Sequence, residues 1–129
     1  MSQTQSCVYV EANADDGAGN AKWQSSGVTL NANEEVSFKA GGAASTRFTE
    51  EGGVNFAGPN GLSYDIPNSL APSINGGTVI GRIGGGAAFK IGETATIRQH
   101  AGGSLELAFN DSVASDNKGG FFVGITVGS

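Results

Sequence analysis

The chain has 129 residues, 22 glycines and a formal net charge of −5, enough for one domain with a real hydrophobic core and too little for two. Its seven Lys and Arg residues are scattered singly, so no basic row exists to neutralise phosphates and nucleic acid is excluded as a partner. Cys7 is the lone cysteine, which excludes an intrachain disulfide framework, and no apolar run approaches the roughly 20 residues of a membrane-spanning helix.

No stretch repeats apolar residues at the three-and-four spacing of a helix. Alternation of period two recurs instead, which puts every second side chain on one face of a strand. Val8 and Val10 open the series, followed by Val28 and Leu30, then Val36, Phe38 and Ala40. Residues 78–83, 87–91 and 94–99 come next. The clearest sets are Leu105, Leu107 and Phe109, then Phe121, Val123, Ile125 and Val127. Turn-forming segments separate them: Asn31-Ala32-Asn33, Gly84-Gly85-Gly86, Ile91-Gly92-Glu93 and Ala101-Gly102-Gly103. About eight strands so punctuated predict an all-β sandwich of the jelly-roll kind, with two antiparallel sheets of about four strands each, spanning residues 1–129 as one domain.

Two connections break this rhythm. Residues 42–77 carry little strand signal, and ordered loops beyond about 12–15 residues are usually functional or disordered. Residues 111–119 join the two strongest strands; if those pair as a hairpin, the loop projects from one end of the sandwich. Chemistry is to be sought in these two loops.

Enzymatic chemistry finds little support. A nucleophilic triad would need the only histidine, His100, which precedes Ala101-Gly102-Gly103 and reads as a solvated turn residue. Cys7 reads as a small strand residue. Glycine-rich phosphate loops and the nucleophile elbow are missing. The pairs Asp15-Asp16, Glu34-Glu35 and Glu50-Glu51 read as solvated turns, because adjacent side chains in extended backbone point opposite ways and do not face each other across a cleft.

The segment Asn110-Asp111-Ser112-Val113-Ala114-Ser115-Asp116-Asn117-Lys118-Gly119-Gly120 is denser in polar oxygens. Calcium takes six to eight hard oxygen ligands, and Asp111, Asp116, Asn117 and a turn carbonyl supply about half. The spacing is not that of an EF-hand, and a plain polar hairpin turn is the competing interpretation.

With this segment the chain resembles the LecA-like (PA-IL-type) calcium-dependent bacterial galactose lectins. The resemblance runs through Ile83-Gly84, Phe89-Lys90-Ile91-Gly92, Gly102-Gly103, residues 105–110, Asp111, Asp116-Asn117, Gly119 and residues 121–127, and more loosely through residues 27–30, 36–40 and 41–46. It implies a sandwich of two four-stranded sheets, no catalytic residues, and a calcium ion whose coordination is completed by galactose hydroxyls. Carried over, the calcium ligands are Asp111, Asp116, Asn117 and carbonyls at Thr46 and within residues 113–115, of which Ser115 is chosen. Asp65, Asn68, Asp111 and Asn117 fall beside the sugar. Two departures stand out. Asp116-Asn117 replaces an Asn-Asn pair, and a second carboxylate implies tighter calcium binding. Asp65-Ile66-Pro67-Asn68 stands where the family has His-Pro-x-Gln.

The implied partners are galactose-containing glycans and a second copy or more of the chain, as a homodimer or homotetramer, without nucleic acid or membrane insertion. An accessory carbohydrate-binding module for a polysaccharide and a calcium-stabilised adhesion domain are the alternatives; a short chain starting at Met1 speaks against the accessory module. The N-terminus shows no basic start and no apolar stretch, so cytoplasmic synthesis is expected, with any release by a non-classical route.

Overall fold

A computed structural model describes residues 3–45, 58–62, 66, 68–112 and 117–128. Eight strands follow in chain order: β1 (Thr4–Glu11), β2 (Gln24–Leu30), β3 (Glu35–Ser45), β4 (Val79–Ile83), β5 (Phe89–Lys90), β6 (Thr94–Ile97), β7 (Gly103–Phe109) and β8 (Lys118–Gly128). They form two four-stranded sheets, ordered β1-β8-β3-β6 and β2-β7-β4-β5, with every pairing antiparallel. The expected sandwich is therefore the observed one.

The alternation noted in the sequence is what fills its interior. Val10, Val36, Phe38, Phe121, Val123 and Ile125 of one sheet face Leu30, Val79, Ile83, Leu105, Leu107 and Phe109 of the other in one buried cluster. At one end of this core the rings of Phe109 and Phe121 stack with centroids 6.1 Å apart. A smaller cluster of Ala71, Ile80 and Ala108, with Trp23, Leu70 and Ile74 against it, seals the outer side of the second sheet beneath part of the long β3–β4 connection.

β3 runs further than its apolar pattern suggested, through Gly41-Gly42-Ala43-Ala44 to Ser45, paired with residues 118–122 of β8. Within this stretch backbones approach closely at Gly42. At Gly42, with φ of +125°, a Cβ would lie 2.6 Å from the carbonyl oxygen of Gly120, so the strand can continue only with glycine at this point. β5, in turn, is reduced to two residues.

β7 and β8 do not form a hairpin, contrary to expectation. β7 lies between β2 and β4, and β8 between β1 and β3. Each is a central strand with both edges already hydrogen-bonded, so neither edge is open to the other. The chain therefore leaves one sheet after Phe109 and enters the other at Lys118.

Adjacent phenylalanines test which face of β8 carries the fold. Phe121 is fully buried and Phe122 is 62% exposed, resting beside Tyr9 with ring centroids 4.8 Å apart. Phe121→Ala is expected to cost about 3–5 kcal/mol of stability, and Phe122→Ala less than about 1 kcal/mol, measured by urea unfolding of both variants.

Candidate functional site

Three connections meet at the end capped by Phe109 and Phe121: β1–β2, β3–β4 and β7–β8. Asn110, the first residue after β7, holds two of them together. Its Oδ1 accepts from the N–H of Ala71 at 2.9 Å, and its Nδ2 lies 2.8–3.1 Å from the carbonyls of Ala71, Ile74 and Asn75. Its main-chain carbonyl accepts from Gly77 at 2.7 Å, while Leu70 donates to the carbonyl of Asp111 at 3.3 Å. The side chain of Asn110 is wholly buried, and these bonds satisfy amide groups that burial would otherwise penalise. The described parts of the two unusual loops thus lie at the same end, as expected.

Asn117 performs the matching task at the other end of the crossing. Its Nδ2 donates to the carbonyl of Ala12 at 2.8 Å, and Ala12 in turn donates to Gly119 at 3.1 Å. The second amide atom, Oδ1, is buried and has no hydrogen-bond partner among the described residues, in a side chain only 1% exposed. A buried carbonyl oxygen left so costs about 1–3 kcal/mol, which a cation or a donor would relieve. Asp111, 5% exposed, accepts from the N–H of Ser112 at 2.7 Å through Oδ1.

Asn68 and Asp111 line one cleft of about 400 Å³, together with Asn20, Ala21, Leu70 and Ser112. Two of the residues assigned to the sugar side are therefore brought together, although 43 positions apart in the numbering. Asn68 has φ of +61°, a left-handed conformation that asparagine tolerates better than most residues and that recurs at ligand clamps. Asn117 faces inward instead of lining this cleft. Thr46, Asp65, Ser115 and Asp116 lie outside the described residues.

The donors that are described suit a hard cation. Asp111 offers a carboxylate and Asn117 an amide oxygen, the donor types calcium takes. Among the described residues no three His, Cys, Asp or Glu side chains gather as a metal cluster.

Asn20 and Ala21 were not anticipated as part of the site. The Asp15-Asp16 pair does mark turns, but these turns shape a wall of the cleft. Asp15 Oδ1 accepts from Gly17 at 2.9 Å. Asp16 accepts from the N–H of Ala18 at 2.9 Å and of Asn20 at 3.3 Å, and from Asn20 Nδ2 at 3.3 Å. Ala21 then donates to the carbonyl of Ser112 at 3.0 Å, tying this loop to the β7–β8 crossing. The bond from Ala18, then that from the Asn20 side chain, holds the Asp16 carboxyl below its ordinary value. The usable signal was the run Asp-Asp-Gly-Ala-Gly-Asn, whose acids cap their own loop amides.

The other singled-out residues serve the fold. His100 Nδ1 accepts from the N–H of Gly102 at 3.1 Å, so Nε2 carries the proton and donates to the carbonyl of Glu34 at 2.7 Å; it clasps two turns instead of standing free in solvent. Glu34 accepts from Asn31 while Glu35 pairs with Arg98 at 2.7 Å, so these neighbours diverge as expected. Cys7 is an exposed residue of β1. Glu50 and Glu51 lie outside the described residues.

Two expectations follow. Asn110→Ala removes the side-chain clasp on residues 71–75 and should cost about 2–4 kcal/mol in urea unfolding, since several buried partners lose their bonds together. Because the Asp16 pKa is lowered on folding, its contribution is complete above the unfolded value of 3.8 and is lost as pH falls through the lower folded value. Amide exchange at Ala18 should therefore accelerate in that acid window, and Asp16→Asn should flatten the dependence.

No protein-family model matches the sequence, and no curated protein matches it. Solved structures do match. One, described as the N-terminal domain of EclA, a PllA-like lectin, superposes with a TM-score of 0.68 at 23% identity, over 94% of this chain and 94% of that one. The chain thus shares, across nearly its whole length, the fold of a PllA-like lectin domain.

Proposed function

We propose that this protein is a calcium-dependent lectin that binds galactosides, and not an enzyme. The observation that carries the proposal is the β7–β8 crossing. Asp111 stands at its start on the wall of a polar cleft, and Asn117 stands at its end with a buried amide oxygen that no described residue satisfies. A fold shared with a PllA-like lectin supports the same assignment.

Asp111 and Asn117 would hold the ion, joined by Asp116 and by the carbonyls of Thr46 and Ser115. Asn110 and Ala12 keep Asp111 and Asn117 in position from behind. Calcium, when bound, supplies coordination positions at which two adjacent sugar hydroxyls replace water. That exchange matters because hydrogen bonds to sugar hydroxyls replace equally good bonds to water and gain little net energy. An axial–equatorial pair such as the 3- and 4-hydroxyls of galactose fits one spacing, and glucose offers no such pair there. Asn68 on the cleft wall, with Asp65, would hold the remaining hydroxyls. A single shallow site of millimolar strength is worth only about 4 kcal/mol, so a dimer or tetramer presenting several sites is part of the proposal.

Calorimetry tests it. Galactosides should bind in calcium, glucosides should fail, and chelator should abolish binding. Asp111→Ala should abolish calcium uptake, and Asp116→Asn should weaken it while leaving an oxygen in place. Asp65→Ala should reduce galactoside affinity about five- to tenfold at unchanged calcium affinity. Galactoside binding that persists in excess chelator would contradict the proposal.

A further inference from the structure

We infer that the β1–β2 loop forms a second subsite of the cleft, in which Asn20 reads the sugar unit attached to the one held at Asp111, so that the preferred ligand is a galactose-terminated disaccharide or longer glycan and not galactose alone. This rests on the lectin assignment and names its ligand class further.

Three observations lead there. First, the cleft of about 400 Å³ has walls from separate segments: Asp111 and Ser112 from the crossing, Asn68 and Leu70 from the long connection, and Asn20 and Ala21 from the β1–β2 loop. Ligand clefts span about 300–1,000 Å³, and this one falls within that range. Second, the β1–β2 wall is fixed in place. Ala21 bridges to Asp15 and donates to Ser112, while the Asp16 carboxylate holds both the main chain and the side chain of Asn20. An amide clamped at its nitrogen in this way loses little rotamer freedom when it meets a ligand, which makes its contacts more favourable. Third, the chemistry of the wall is that of sugar recognition: an exposed carboxamide whose oxygen accepts a hydrogen bond from a hydroxyl, with an alanine beside it that leaves room.

Asn20 is the contacting residue in this scheme, and Asp16 positions it. Asp16 does not line the cleft, so its effect on ligand binding should pass through the loop that it holds, and above all through Asn20.

The test uses the full chain in calcium, with galactose and a panel of galactose-terminated disaccharides of differing linkage titrated by calorimetry. Asn20→Ala is expected to weaken the best disaccharide about five- to tenfold, while galactose and calcium affinities stay within twofold. Asp16→Ala should show the same loss, and Asp16→Asn should recover part of it, since its remaining oxygen still accepts from residues 18 and 20. Thermal unfolding of each variant reports on loop damage separately; equal losses for galactose and disaccharide would mark a merely structural role and overturn the inference. No disaccharide binding better than galactose, or all disaccharides unchanged in Asn20→Ala, would likewise overturn it while leaving the lectin assignment intact. Failure of the unaltered protein to bind any saccharide in calcium would bring down both.

Discussion

Two central strands, β7 and β8, belong to different sheets, and the chain has to pass from one to the other across the end of the core. Asn110 and Asn117, which flank that passage, are both buried, and buried polar groups need hydrogen-bond partners. Asn110 gathers the carbonyls of residues 71, 74 and 75, and Asn117 grips the carbonyl of Ala12. The long β3–β4 connection and the β1–β2 loop are thereby drawn to the crossing. The cleft exists because these three segments are fastened to one another, and Asp111 reaches it because it directly follows the first of the two asparagines.

Strand positions were legible in the sequence because burial imposes a period of two, and the inward sets from Val10 to Ile125 are the ones that alternation picks out. Sheet membership was not. Apolar alternation reports which face a strand buries, but says nothing about which strand lies beside it, and two strong neighbouring strands suggested a hairpin where topology made a crossing. The glycine-rich end of β3 also escaped notice, since its constraint is the close approach of Gly42 to Gly120 and leaves no apolar signature.

The candidate site was legible in part for the same kind of reason. Clustered Asp and Asn residues in an atypical loop pointed to Asp111 and Asn117, and the resemblance added Asn68, which shares the cleft with Asp111. Asn20 was hidden because its neighbours Asp15 and Asp16 have an ordinary local purpose, capping their own loop. That purpose and a place on the cleft wall are compatible: a loop that satisfies its own amides is rigid enough to form a wall. Neither Asn110 nor Asn117 is exposed, yet both determine where exposed groups stand, which is why polar residues persist in an interior that would otherwise favour apolar ones.

The most direct measurement is a crystal structure of the protein grown with calcium and galactose. The account predicts one cation 2.3–2.6 Å from oxygens of Asp111 and Asn117, with two adjacent sugar hydroxyls on the same ion and the ring lying in the cleft beside Asn68. A cation bound elsewhere, or a sugar seated without contact to any ion, would contradict it.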